Sequence, residues 1–321
     1  MNPRWAALIL AVITPLVAEF TLGNPSIRQI WLLPLWIPLY GAGTVLIREL
    51  VRRAGTGWRG VLLLGAAYGV VEEGLALQAL SSPTLYGAAG WAPRILGLNS
   101  AYAELMIPYH AVFSAAIPIL LVDLIFPALR DRPYLGRPGM IVTGVIFVLG
   151  ALLVRLSVPP AMDPGYQAPA VVVVGCVVAV AVLVVAGLVG AAQPGGSWPV
   201  PAWGAAVFGG VAAFAYLALL FPFGGAAHPA FTRGAWVWAP MAAAAVLGVG
   251  AVWLLRRRRL GDLELLALAG GALVAHTAFG LIANADTPAD RLGLAALGVV
   301  MVVLLVLLGS RVRARAVPLP G

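Results

Sequence analysis

Apolar runs about twenty residues long recur along this chain, separated by short stretches rich in Arg, Pro and Gly. Twenty helical residues rise about 30 Å, the thickness of a bilayer's hydrocarbon core. The pattern predicts ten membrane spans, at roughly 5–22, 30–49, 58–80, 100–127, 138–158, 168–190, 201–221, 235–255, 264–284 and 292–309. A membrane barrel would instead show shorter segments that alternate residue by residue. The expected fold is all-α, a polytopic transmembrane helical bundle. It reads as a single integral membrane domain over 1–321, without a fixed-period repeat or an inserted soluble domain.

Polar positions inside these runs are few, and one stretch concentrates them: Gly65-Ala-Ala-Tyr-Gly69-Val-Val-Glu72-Glu73-Gly74. A carboxylate at mid-bilayer costs about 2.5–3.5 kcal/mol on insertion scales, so such residues face a bundle interior or a water-filled cavity. Gly65 and Gly69 stand one turn apart, a spacing that lets a second helix approach closely. The ten-span alternation places Glu72, Glu73, Glu19, Glu104, His110, His276 and Asn284 in one layer, the outer half of the membrane. Residues 1–137 thus carry most of the intramembrane polar groups. Residues 138–321 read mainly as packing helices, with span 264–284 bringing His276 and Asn284 back toward the site.

Charge changes the picture only through its placement. The chain is 62% hydrophobic and 10% charged, with a mean hydropathy of +0.99. Its net charge of +8 comes from 20 basic residues, all Arg, and most of them lie at span ends. That distribution orients helices and is no nucleic-acid signal. Arg4, Arg52, Arg53, Arg59, Arg130, Arg132, Arg137, Arg256 to Arg259, Arg311, Arg313 and Arg315 fall on one side. With Arg48 and Arg155 left out because they lie within spans near their ends, only Arg28, Arg94, Arg233 and Arg291 fall on the other, so both termini are expected in the cytoplasm, with the chain in the cell's inner (plasma) membrane. The N-terminal run has the layout of a signal peptide, yet Glu19 also reads as a polar residue within span one.

Several groups have plain readings. Glu49 is expected to pair with Arg52 or Arg53 at helical spacing. Asp123 is expected to reach toward Arg130 or Arg132, and Arg155 toward the outer interface. His228 reads as a loop residue, and Cys176 as a buried, inert thiol. The segment from Ser81 to Asn99 reads first as an interfacial loop and second as a lid over the site.

The candidate site itself is Glu72, Glu73 and His110, with Glu19, Glu104, His276 and Asn284 in support. A carboxylate can deprotonate a water while an imidazole handles the companion proton. The bland counterpart is a polar clamp between helices, and His276 in particular reads as an interhelical hydrogen bonder. No nucleophile elbow, His-Glu-x-x-His, Walker loop or dinucleotide fingerprint occurs.

Glu72-Glu73-Gly-Leu-Ala-Leu77 and Met106-Ile-Pro-Tyr-His110 resemble two motifs of the CPBP family, the CAAX-protease and bacteriocin-processing (abortive-infection) intramembrane proteases. That family pairs Glu-Glu-x-x-x-Arg with Phe-x-x-x-His, followed by His-x-x-x-Asn or Asp. Here Leu77 replaces the Arg, Met106 replaces the Phe, and His276 comes several spans late with Gly280 at the Asn/Asp position. The resemblance spans about residues 58–127. It implies peptide-bond hydrolysis in the membrane, with Glu72 or Glu73 activating water, His110 assisting, and a membrane peptide or lipid-modified protein as substrate.

The leading expectation is a CPBP-like intramembrane hydrolase that requires no cofactor. In a metal-dependent variant, His110, His276 and Glu73 would hold a divalent ion such as zinc. The alternatives are a proton-coupled carrier, which the buried Glu and His also suit, and a non-catalytic scaffold or partner subunit.

Overall fold

A computed structural model of the chain describes residues 2–192, 196–221 and 238–316; His228 and Arg233 lie outside the described residues. Helices dominate and follow the apolar runs. They are α1 (Pro3–Ala18), α2 (Leu33–Trp36), α3 (Ala42–Ala54), α4 (Gly57–Val70), α5 (Ser100–Tyr109), α6 (Ile117–Ile125), α7 (Arg137–Met162), α8 (Ala170–Leu188), α9 (Ala202–Leu220), α10 (Trp238–Arg257), α11 (Asp262–Ala283) and α12 (Pro288–Ala316). Among the described residues, nine helical stretches are long and apolar enough to cross a membrane. The expected third span, 58–80, is not among them. It forms as α4 continued by Val71–Ala76, and carries Arg59, Glu72 and Glu73. It also ends before residue 80, because Gln78 takes a left-handed backbone conformation (φ 59°).

Among the described residues, three rods contain a π-helical turn. Ile37–Gly41 joins α2 to α3, Val71–Ala76 extends α4, and His110–Ala116 joins α5 to α6. The amides of Ala42, Leu77 and Ile117 reach back five residues, to Ile37, Glu72 and Val112. Around His110 the cause lies in two prolines, which have no N–H to give. Pro108 leaves the Glu104 carbonyl without its helical donor, and the Tyr216 hydroxyl bonds it instead. Pro118 likewise frees the Ser114 carbonyl, which accepts from Thr44 Oγ1 at 2.6 Å. Buried carbonyls need such partners, and here they come from neighbouring helices.

Two apolar clusters form the core. One gathers Leu10, Val45, Val51, Leu64, Ile119 and Val122; the other gathers Tyr102, Leu105, Leu217, Leu273 and Phe279. α4 lies at the centre, against α3, α5, α8 and the turn at His110. A Cβ on Gly65 would come within 2.7 Å of Ala111 Cα, so that position requires glycine for the close approach. α9 and α11 meet the same way through Gly209 and Gly271. Cys176 is buried, against Gly74.

At one end of the bundle a buried ionic cluster replaces the expected surface pairs. Arg48 is fully enclosed and bonds Asp123 through Nε (3.0 Å) and Nη2 (2.9 Å). It also bonds the carbonyls of Leu129, Arg130 and Arg132, and lies 3.4 Å above the Tyr134 ring. Asp123 therefore pairs with Arg48 and Arg52, and not with Arg130 or Arg132. Arg130 pairs with Asp262 instead. Glu49 pairs with Arg53 and accepts the Tyr134 and Leu135 amides. The 127–136 turn folds back over the helix ends and supplies these backbone partners. Arg155 bonds Gln167 at the exposed surface.

Candidate functional site

The three π turns meet. Each carries a residue of one polar cluster: Tyr40, the pair Glu72 and Glu73, and His110. A π turn inserts one extra residue and re-aims the side chains beside it, which is why such turns gather at functional sites. Glu72 and Glu73 are each 2% exposed and His110 is wholly buried. His110 Nε2 stands 3.1 Å from Glu73 Oε1, and Nδ1 stands 3.5 Å from Glu72 Oε2. Nδ1 also lies 2.9 Å from Ser114 Oγ. The Tyr102 hydroxyl donates to Glu73 Oε2 at 2.8 Å. Both Glu73 oxygens are thus engaged, whereas Glu72 Oε2 and the buried Tyr68 hydroxyl have no hydrogen-bond partner.

Aromatic rings wall the cluster. Tyr68, Tyr109 and Tyr40 stand 5.6, 5.5 and 6.2 Å from the His110 ring, centroid to centroid. On the far side of Tyr102, the segment from Leu77 to Asn99 folds back over the site. Trp91 packs edge-on against Tyr102 at 5.5 Å and Tyr86 stacks on it at 6.3 Å. The placement is that of a lid. Within the segment, Asn99 Nδ2 joins its two ends through the carbonyls of Ala79 and Ser82, and Arg94 bonds Asn99 Oδ1. Desolvation, and then the carboxylates of Glu73, Glu19 and Glu72, hold the Tyr86 hydroxyl well above the usual phenol range.

The supporting residues divide. Glu19 is half-buried and accepts from the Tyr40 hydroxyl at 2.7 Å, so it adjoins the cluster at the molecular surface. His276 does not join it. Its ring nitrogens lie 3.1 Å from Thr21 Oγ1 and 2.9 Å from the Tyr109 hydroxyl, and its ring stacks on Phe113 at 4.2 Å. The expected metal set of His110, His276 and Glu73 is therefore replaced. Tyr109 stands between the two imidazoles, and the ligand atoms that come together, within 4.8 Å of one another, belong to Glu72, Glu73 and His110. Asn284 ends α11 and bonds the Leu22 carbonyl at 2.9 Å, away from the cluster. Glu104 turns toward α9, with its own carbonyl held by Tyr216.

Sequence reasoning missed the hydroxyls. Tyr68 precedes Glu72 by four residues and Ser114 follows His110 by four, so helical spacing marks both as neighbours. Tyr40 and Tyr102 arrive from other helices, and local spacing carries no trace of them.

No curated protein and no solved structure is detectably similar to this chain. Residues 8–320 match a family described as an uncharacterized membrane protein family, and the chain belongs to that family.

Proposed function

We propose that this membrane protein is an intramembrane hydrolase that cleaves a peptide bond, similar in its chemistry to the CPBP proteases. The observation that carries the reading is the contact of Glu73 with His110 beside a carboxylate oxygen of Glu72 that makes no hydrogen bond among the described residues and meets only His110 Nδ1, at 3.5 Å. Glu73 is committed to Tyr102 and His110 and acts as the holding group. Glu72 is the free acceptor and serves as the base. It takes a proton from water as the hydroxide oxygen bonds to the carbonyl carbon. The C–N bond then breaks, and the proton returns to the amine leaving group with His110 relaying it. The scaffold alternative calls for mutually satisfied Glu and His with no cavity; the contacts among Glu73, His110, Tyr102 and Ser114 fit it, and the Glu72 and Tyr68 atoms without a hydrogen bond among the described residues favour the hydrolase.

The proton-carrier reading keeps one specific support: half-buried Glu19 and the hydroxyl of Tyr40 continue the cluster toward the surface. The test is a comparison of protein N-termini in membranes from cells expressing wild type or Glu72→Gln. Hydrolysis produces new termini that vanish in the variant. Identical termini in both, with proton uptake into vesicles that depends on Glu19, would establish the carrier instead. In this reading the chain sits in the inner membrane with both termini cytoplasmic, as the Arg asymmetry favours.

A further inference from the structure

We infer that Glu72, Glu73 and His110 form a binding site for one divalent transition-metal cation of the zinc or manganese kind. Its catalytic meaning rests on the hydrolase reading, but its existence does not. The first ground is geometric. One donor atom from each residue lies within 4.8 Å of the other two. A tetrahedral ion about 2.0–2.2 Å from its ligands holds them about 3.4 Å apart, so small side-chain rotations close the set. Two carboxylate oxygens and an imidazole nitrogen suit such ions.

The second ground is the support around each donor. Metal-bound imidazoles and carboxylates use their remaining atoms to bond a second layer of groups. His110 Nδ1 lies 2.9 Å from Ser114 Oγ, which leaves Nε2, the nitrogen facing Glu73 Oε1, for the ion; Glu72 Oε2, now 3.5 Å from Nδ1, must swing along the ring to join it. Glu73 Oε2 is held by Tyr102. The third ground is the pair of unpartnered atoms. Glu72 Oε2 and the Tyr68 hydroxyl belong to side chains 2% and 3% exposed, and the Tyr68 ring stands edge-on to His110. An ion and its bound water would satisfy both.

The fourth ground is charge. Among the described residues, Glu19, Glu72 and Glu73 share this region with one imidazole, that of His110, while Arg48, Arg52, Arg53 and Arg130 are committed to Asp123, Glu49 and Asp262. A divalent ion supplies the missing positive charge. It would also hold the water that Glu72, bound through one oxygen, deprotonates with the other.

The experiment uses the purified full-length protein in detergent, stripped with a chelator and titrated with Co2+ as an optical probe and Zn2+ as a competitor. One ion per chain is expected, with a tetrahedral cobalt spectrum and higher melting on loading. Glu72→Gln and His110→Ala should abolish it. Ser114→Ala and Tyr102→Phe should weaken it about 10–100-fold, which keeps the test open if the ligand variants fail to fold. Glu104→Gln and His276→Gln should bind as wild type. No cobalt spectrum in folded wild type, or binding indifferent to all four cluster variants, overturns the site. Glu72-dependent cleavage without ion binding would sink the metal and leave the hydrolase. Ion binding without cleavage would do the reverse.

Discussion

At the scale of single residues, the proposed chemistry would come at a cost in stability. Glu72 is buried with one oxygen unbonded, and a buried polar atom without a partner costs about 1–3 kcal/mol. Glu72→Gln should therefore raise the melting temperature of the ion-free protein while removing its activity. A fall in melting would mean that the carboxylate is structurally required. Arg48 works in the opposite sense. Its bonds to Asp123 and three carbonyls are all internal. Arg48→Met should cost about 3–5 kcal/mol in denaturant unfolding, because Asp123 is left underpaired, and Arg48→Met with Asp123→Leu should recover much of it. Glu72, Glu73 and His110 were legible because ionisable residues are rare in such runs. The partners of Asp123 were not. Sequence proximity favours Arg130 and Arg132, yet the turn that carries them folds back and contributes its carbonyls in place of their side chains.

At the scale of elements, two contacts set the site. Gly65 brings α4 against the His110 helix, and a Cβ there would strike Ala111 backbone. Gly65→Val should part these helices, cost about 1–3 kcal/mol, and lower activity more than a comparable change at Gly144, where an added Cβ meets nothing within 4 Å. The lid depends on Asn99. Asn99→Ala removes its bonds to Ala79 and Ser82, which join the two ends of the segment, about 1 kcal/mol each, so opening at the base of the lid should become about 5–30-fold more frequent. Carbodiimide labelling of Glu72 and Glu73, read by mass spectrometry, should rise accordingly; unchanged labelling would show that access runs elsewhere. Nine of the ten span positions were legible, since length and apolarity define them, although Ile27–Ala54 and Pro288–Arg315 run five and six residues past the expected ends and 58–80 is not among the candidate spans of the described residues. The π turns were not, because their extra residue leaves no mark on hydropathy. Pro108 and Pro118 show in hindsight where the regular bonding fails.

At the scale of the molecule, burial is unequal. In the most apolar stretch of Ser100–Ile125, 72% of residues are buried, against 6% for Arg137–Met162. The polar helices occupy the interior, and much of α7, α8, α10 and α12 faces outward. Which face of these outer helices packs was hidden in the sequence, because lipid tails are as apolar as Leu and Val and no amphipathic stripe is needed. The Arg asymmetry predicts that green fluorescent protein fused at the C-terminus fluoresces, whereas alkaline phosphatase inserted near residues 163–169 is active. The reverse pattern would invert the bundle and place the lid on the cytoplasmic side.

The π turns carry a consequence for how such a chain diversifies. Each is a one-residue surplus held inside a helix that is otherwise continuous. Deleting a single codon within Val71–Ala76 would restore ordinary helical bonding and rotate one half of the rod by about 100° against the other. The two acidic side chains would then lose their common aim while the apolar rod, and the protein's place in the membrane, survived. If the proposed hydrolase reading holds, one small deletion of this kind would remove the chemistry and leave the protein in place.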